Sequence, residues 1–367
     1  MAPLLVLRCC SVEFLKTFSR ANVFLMRGAS IFCAAQTQLP VHSQRGSTLS
    51  VQKMFLFSGK CTADTRLDGK TAIVTGSNTG IGKCTANELA KRGARVIMAC
   101  RSLEKAETAA DDIRTSLKDV KDAGEVVIRQ LDLSSLKSVR KCAQEILDNE
   151  SAIHLLINNA GVMMCPRQLT EDGYELQFAT NHLGHYLFTL LLLPRIIKSA
   201  PARIINLSSL AHTWGDGSMH FEDINLEKGY SATGAYGRSK LANILFTTEL
   251  AKRLQGANIT NVNTYAVHPG VVDTELSRHF DSIIPGTAWL YQRVGGLFIK
   301  SPLQGAQTTL YCALDKKCER ETGLYYADCK VKSTARRAKN PETAKELWTQ
   351  SWKLVGLDEN YNPFQPA

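Results

Sequence analysis

The sequence predicts a doubly wound α/β fold: one parallel sheet with helices on both faces. Three observations carry that reading. From Lys70 onward, short apolar runs alternate with amphipathic stretches, the pattern of successive βαβ units. A glycine-rich turn lies between the first run and the first amphipathic stretch. Polar clusters follow the ends of later runs, where open α/β sheets bind ligands.

The elements follow in order. The first strand candidate, Ala72–Thr75, leads into the glycine turn, and Ile81–Lys91 has the apolar spacing of a helix with one buried face. Arg95–Ala99 and Val126–Leu131 repeat the short apolar pattern around a helix over Leu103–Leu117. A helix over Leu136–Asn149 leads to a strand at Leu155–Ile157, and a long helical stretch, Tyr174–Ser199, to another at Arg203–Leu207. Within that stretch the apolar run Tyr186–Leu193 is too short to span a bilayer and ends at Pro194, so it reads as a helix buried in the core. Ala235–Leu254 is the next helix, followed by strands at Val262–Ala266 and Leu324–Tyr326. Between these two strands the apolar stretch Ile283–Ile299, interrupted by Gln292 and Arg293, either lines a pocket or touches a membrane surface. Each link is short enough for a right-handed crossover, and the sum is a single Rossmann-like sheet.

With 367 residues, 44% of them hydrophobic, the chain can bury one large core. Its net charge is +10, and residues 1–63 hold seven basic residues against Glu13 alone. A basic excess gathered at one end points to targeting or to an anionic surface, not to a nucleic-acid-binding fold. The C-terminal cations Lys330, Lys332, Arg336, Arg337 and Lys339 read as a solvated loop. Eleven cysteines without a C-x-x-C pair read as reduced thiols of an intracellular protein. His182 and His185 are three apart with no Cys or carboxylate beside them, so no metal site is expected.

The glycine turn is Gly76-Ser77-Asn78-Thr79-Gly80-Ile81-Gly82. Its glycines let backbone N–H groups and a helix N-terminus approach a pyrophosphate. An NAD-selective site places an acidic residue at the end of the second strand, but here the strand ends Ala99-Cys100-Arg101, and Lys83 follows the turn. Two cations near the adenosine 2′ position favour a 2′-phosphate, hence NADP(H). Asp132, after the third strand, is placed either to accept from an adenine amino group or to cap a helix.

Asn158-Asn159-Ala160-Gly161 follows the fourth strand and Ser208-Ser209 the fifth. Tyr236-Gly237-Arg238-Ser239-Lys240 begins a helix, with Tyr236 and Lys240 on one face. An ammonium beside a phenol favours the phenolate and brings a general acid/base toward its working range.

This set resembles the short-chain dehydrogenases/reductases, and within them the microsomal and mitochondrial retinol dehydrogenases, over roughly residues 58–356. Narrower matches are Ser58-Gly59-Lys60-Cys61-Thr62, Asn181-His182-Leu183-Gly184-His185, Ser208-Ser209-Leu210-Ala211-His212 and Ser239-Lys240-Leu241-Ala242-Asn243. The resemblance implies a catalytic tetrad of Asn181, Ser209, Tyr236 and Lys240, with Ser208 as the alternative serine. Tyr236 would exchange a proton with the substrate oxygen while the nicotinamide exchanges hydride with its carbon. Ser209 would bond the same oxygen, Lys240 would lower the Tyr236 pKa and hold the nicotinamide ribose, and Asn181 would hold a relay water. Implied cofactor contacts are Gly76 to Lys83, Arg101, Asp132, Leu133, Asn159, Ala160, Gly161, Tyr236, Lys240, and, around the turn His268-Pro269-Gly270, Pro269, Gly270, Val272 and Thr274. The substrate expected is an apolar alcohol or aldehyde such as retinol and retinal, with a sterol or another ketone as the rival and a non-catalytic NADP(H) sensor as the rival of a different class. The segment Trp214-Gly215-Asp216-Gly217-Ser218 is a residue or two longer than the group's usual one.

Residues 1–57 read as a targeting or extension segment, 58–356 as the catalytic domain and 357–367 as a tail. Lys16, Arg20 and Arg27 fall within about 40° of one another on a helical wheel, opposite Phe14, Phe18, Ala21 and Leu25. Such a segment is similar to a mitochondrial presequence. Met54 is an alternative start, which would suit a location at the endoplasmic reticulum membrane or in the cytosol. Peripheral membrane contact and a homodimer complete the expectations.

Overall fold

The structure, a computed structural model, describes residues 59–272 and 299–365. The N-terminal segment, Thr274 and all of the apolar stretch but its last residue lie outside the described residues. The remaining elements are β1 (Thr71–Thr75), α1 (Gly80–Lys91), β2 (Arg95–Cys100), α2 (Leu103–Leu117), β3 (Val126–Gln130), α3 (Leu136–Asn149) and β4 (Leu155–Asn158). After a short turn at Leu176–Phe178 and a π turn at Ala179–Leu183 come α4 (Gly184–Lys198), β5 (Ala202–Leu207), α5 (Ala232–Gly256) and β6 (Val262–His268). The chain then forms α6 (Pro302–Leu314), β7 (Leu324–Ala327), β8 (Lys330–Val331) and α7 (Pro341–Leu354).

The strands form one sheet in the order β3-β2-β1-β4-β5-β6-β7-β8. Neighbours are parallel as far as β7, and the two-residue β8 pairs antiparallel at the edge. Every residue of β1 is buried, because helices cover both faces and a parallel central strand meets no water. The alternation of strand side chains divides the core. Ala72 and Val74 pack with Leu89, Ile113 and Leu310 on one side, while Ile73 packs with Leu187, Leu241 and Trp348 on the other. β1 neighbours both β2 and β4, so strand order reverses there and a crevice opens at their carboxyl ends.

Two departures matter for the site. The long helix expected over Tyr174–Ser199 is interrupted: Glu175 caps the amides of Gln177 and Phe178, and the π turn precedes a helix that runs through Pro194 to Lys198. α5 starts at Ala232, capped by Ser231, so Tyr236 stands inside the helix and not at its start. α6 and α7 were not among the expected elements. Each begins with proline at N1 behind a capping residue, Ser301 and Asn340 respectively. Beyond α7, Leu357 and Phe364 pack on the core, and the Tyr361 hydroxyl donates to Leu190 O at 2.8 Å.

Candidate active site

The cofactor side starts where β1 ends. Gly76 and Gly80 have φ of +63° and +55°, backbone that a side chain resists. Gly82 is required by contact, since a β-carbon there would lie 2.3 Å from Gly76 O and 2.5 Å from Asn159 Nδ2. Thr79 caps α1 in extended conformation with no side-chain bond to the helix amides, so the first-turn N–H groups remain open to an anion. Asn159 fastens the turn: Nδ2 donates to Thr75 O at 2.8 Å, and the Asn159 and Ala160 amides donate to Thr75 Oγ1 at 2.9 and 3.0 Å. An open helix N-terminus above a glycine turn fits a dinucleotide phosphate.

Other expected contacts differ in how they present themselves. Asn78, Thr79, Gly80 and Ile81 are partly exposed along the turn. Ser77 turns its hydroxyl inward to Val74 O at 3.0 Å, and the Leu133 side chain belongs to the core, so each offers the crevice main chain alone. Arg101 is exposed and makes no ion pair among the described residues. Lys83 is different: its ammonium pairs with Asp112 of α2 at 2.5 Å, so it is not the free cation that the sequence suggested. Asp132 Oδ1 accepts from Ser134 N and Oγ at 2.9 and 2.6 Å, and the cap of α3 falls to Ser135.

On the chemistry side, α5 and β5 bring Ser209, Tyr236 and Lys240 together. Lys240 is 4% exposed. Its ammonium lies 5.5 Å from the Tyr236 ring centroid and donates to Leu207 O at 3.2 Å, and burial holds its pKa down at about 8. Burial pushes the Tyr236 phenol well above its usual range, opposed by the Ser209 hydroxyl against it. The expected lowering of the phenol by Lys240 is therefore absent in this geometry, because the ammonium faces the ring and Leu207 while loss of water dominates. Ser208 is buried and donates to Lys240 O at 2.8 Å. Partly exposed Ser209 accepts from Ala211 N at 3.1 Å, which leaves its O–H to the Tyr236 phenol.

Asn181 lies in the π turn. Its Oδ1 accepts from Val162 N at 2.8 Å, and its Nδ2 donates to Val162 O and Ser239 Oγ at 2.9 Å each. Its carbonyl accepts from His185 Nδ1 and Asn243 Nδ2, both at 3.1 Å. A β-carbon on Gly161 would come 3.1 Å from Asn181 Oδ1 and 3.5 Å from Lys240 Nζ, so Gly161 is where the amide and the ammonium meet. The relay water expected of Asn181 finds both the side chain and the carbonyl already engaged.

The comparisons with known proteins give the family. The short chain dehydrogenase family matches residues 70–282. The chain belongs to this family. Retinol dehydrogenase 12 of Mus musculus is 50% identical over 308 residues, covering 84% of this chain and 93% of that protein. Retinol dehydrogenase 11 of Homo sapiens is 50% identical over 307 residues, with 84% and 92% covered. These relatives place this short-chain dehydrogenase in the retinol dehydrogenase group. A solved structure of an uncharacterised protein from Mycobacterium Paratuberculosis is 36% identical, with TM-score 0.64 over 83% of this chain and 100% of that one. L-sorbose reductase from Gluconobacter frateurii, solved with NADPH and L-sorbose, shares the fold alone, with 17% identity and TM-score 0.57 over 72% of this chain and 96% of that one.

Three histidines of this dehydrogenase have partners that sequence reasoning missed. His185 Nδ1 must donate to the Asn181 carbonyl, so its Nε2 accepts from the Thr75 hydroxyl at 2.9 Å. That chain of bonds connects the cofactor turn to Asn181. Burial holds His185 at about 4, and it acts as a neutral ring. His212 reaches Ser209 O and Ala335 N, and His268 reaches the amides of Leu210 and Gly270. The quoted motifs contain all three, but nothing local marks their partners. His182 packs against Phe178 and Tyr186 and bonds Ser351 Oγ at 2.8 Å. Pro269 and Gly270 (φ +96°) form the turn after β6, and Val272 pairs with Lys300 across a single bridge. Among the described residues no group of three His, Cys, Asp or Glu side chains could share a metal ion, and no helix is long and apolar enough to cross a membrane.

Proposed function

We propose that this short-chain dehydrogenase is an NADP(H)-dependent alcohol dehydrogenase and carbonyl reductase that interconverts an apolar alcohol and its aldehyde, retinol and retinal or a related lipid pair. The observation that carries the reading is the Ser209 hydroxyl set against the Tyr236 phenol, with Lys240 one helical turn on along α5 and the glycine turn at the end of β1. The names of the relatives support the retinoid class.

The bound nicotinamide supplies or accepts hydride at the substrate carbon. Tyr236 gives the substrate oxygen its proton in reduction and takes it back in oxidation. A phenol raised by burial stays protonated at neutral pH, as a general acid requires. Ser209 donates to the same oxygen and stabilises the charge that develops there. Lys240 would stabilise the phenolate left after proton transfer by turning its ammonium from Leu207 O toward the phenol oxygen. The exposed Arg101 favours the 2′-phosphate, and Lys83 joins it by exchanging Asp112 for that phosphate.

A panel of retinal, medium-chain aldehydes and ketosteroids with NADPH and NADH, followed at the nicotinamide absorbance, tests substrate and cofactor together. Retinal and aldehydes should turn over with NADPH preferred, and Tyr236→Phe should abolish turnover while NADPH still binds. Turnover of ketosteroids alone would shift the substrate class, and equal use of NADH would remove the cofactor assignment. Arg101→Ala should weaken NADPH by about 1.5–3 kcal/mol and leave NADH nearly unchanged. For residues 1–53 we propose mitochondrial targeting, tested by a fluorescent fusion of that segment alone: a diffuse signal would favour Met54 as the functional start. Dimerisation and peripheral membrane contact stand as parts of the same proposal, checked by sedimentation and by vesicle flotation.

A further inference from the structure

We propose that His212 and His268 clamp the peptide between Ser209 and Leu210 from its two polar ends, and that both are positioning residues which fix how Ser209 presents its hydroxyl. The Ser209 carbonyl and the Leu210 N–H belong to one planar unit, so holding both ends fixes that plane. His212 Nδ1 lies 2.7 Å from Ser209 O. Leu210 N donates to His268 Nδ1 at 3.2 Å.

The two rings need opposite tautomers, and each is set by its other contacts. Ala335 N donates to His212 Nε2 at 3.1 Å, so the ring proton of His212 is on Nδ1 and points at the Ser209 carbonyl. His268 Nδ1 also faces the Gly270 amide at 3.4 Å. Its proton is therefore on Nε2, and Nδ1 accepts. A second proton on either ring would oppose an N–H already aimed at it. Burial keeps His268 at about 4 and lowers His212. Of the groups facing them, Lys300 and Arg337 disfavour a further positive charge, and Asp328 opposes Lys300 at His268.

The clamp matters because Ser209 is held by its backbone. Its side chain accepts from Ala211 N at 3.1 Å as the cap of the short turn Leu210–Thr213, so the position of its Oγ follows the plane of the next peptide. Tyr325 stacks edge-on against His212, with ring centroids 5.2 Å apart. Arg337 Nη2 holds the end of the turn through Thr213 O at 2.8 Å. In this way the segment around residues 335–337 and the turn beside the nicotinamide position meet on one serine.

The proposal rests on the reading of Ser209 as the group that polarises the substrate oxygen. The test measures single-turnover reduction by the full chain with NADPH and its best aldehyde, along with NADPH affinity. His212→Leu and His268→Leu remove the bond. His212→Asn and His268→Asn keep a polar atom at the Nδ1 position, donating in the first and accepting in the second. The Leu variants should slow turnover about tenfold or more with NADPH affinity within about threefold, and the Asn variants should recover most of that loss. In a Ser209→Ala background the Leu changes should have no further effect. An equal loss with and without Ser209, or full turnover in folded Leu variants, would overturn the clamp. If a Leu variant does not fold, the Asn variants decide, and a tenfold loss in either overturns it. Turnover by Ser209→Ala alone at the normal rate would overturn the reading of Ser209 and the clamp with it. Loss of turnover in Ser209→Ala while the histidine variants stay normal would overturn the clamp alone.

Discussion

An ammonium taken out of water without a carboxylate beside it destabilises the fold, and Lys240 is in that position, bonded to one carbonyl and facing one ring. Its depression from 10.5 to about 8 corresponds to roughly 3 kcal/mol. Between those pH values the unfolded chain binds the proton and the folded chain does not. Raising pH through that window should therefore stabilise the unliganded fold relative to Lys240→Met, by at most about 1.4 kcal/mol per pH unit. Denaturant titrations of both proteins at pH 7.5 and 9.5 check it, and a constant difference between them would contradict the buried, unpaired lysine. The neighbouring serines separate in the same manner. Ser208→Ala loses one neutral bond, to Lys240 O, and should cost about 1 kcal/mol of stability with turnover largely kept. Ser209→Ala loses the cap bond from Ala211 N at a similar cost in stability, but should lose turnover by about 10² or more. Sequence alone left the two serines open, because adjacent residues at a strand end face opposite ways and the facing is a property of the sheet.

Among the elements, the turn at Leu176–Phe178 and the second turn of α5 are held by a buried pair. Glu175 and Arg238 lie 3.7 Å apart with side chains 0% and 2% exposed, and the guanidinium stacks on Phe178 at 4.6 Å. Arg238→Leu leaves the Glu175 charge without its partner and should cost about 3–5 kcal/mol in chemical denaturation. The double change Glu175→Gln with Arg238→Leu should recover part of that loss. Gly184 brings α4 against the site: a β-carbon there would lie 2.4 Å from Leu133 O. Gly184→Ala should push the Asp132-Leu133 loop outward and weaken NADPH binding, as titration of nucleotide fluorescence would show. The strands were legible because central parallel strands, buried on both faces, are continuous apolar runs. The π turn was not, since its register depends on side chains from β1 and α5 that bond the Asn181 carbonyl and His185. α6 and α7 carried readable start signals in Ser301-Pro302 and Asn340-Pro341, and only α6 lacks a strongly one-sided apolar pattern behind its signal.

At the scale of the molecule, α7 closes the core beside α4 and α5. Trp348 packs on Tyr186 and Phe246, with Arg253 over its ring at 4.4 Å, and Ser351 holds His182. Trp348→Ala should cost about 3–5 kcal/mol, measured by urea unfolding, and a chain ending at residue 340 should not give a folded protein. Fold class and the succession of strands were legible in the sequence because each rests on local pattern. The closure by α7 and the histidine contacts rest on pairs far apart in the chain. One such pair also bears on how the chain finds its fold. Asn158 of β4 stands opposite Asn206 of β5 and donates to it at 2.8 Å, and Thr189 and Thr247 extend the line on either side. Among the buried apolar residues beside them on β4 and β5, a slip of one residue between these strands would set each amide against hydrocarbon and strand its polar atoms, a loss of several kcal/mol. The two asparagines therefore serve as a register key during assembly: misaligned sheets are penalised at their centre, before any cofactor or substrate is present to select the right one.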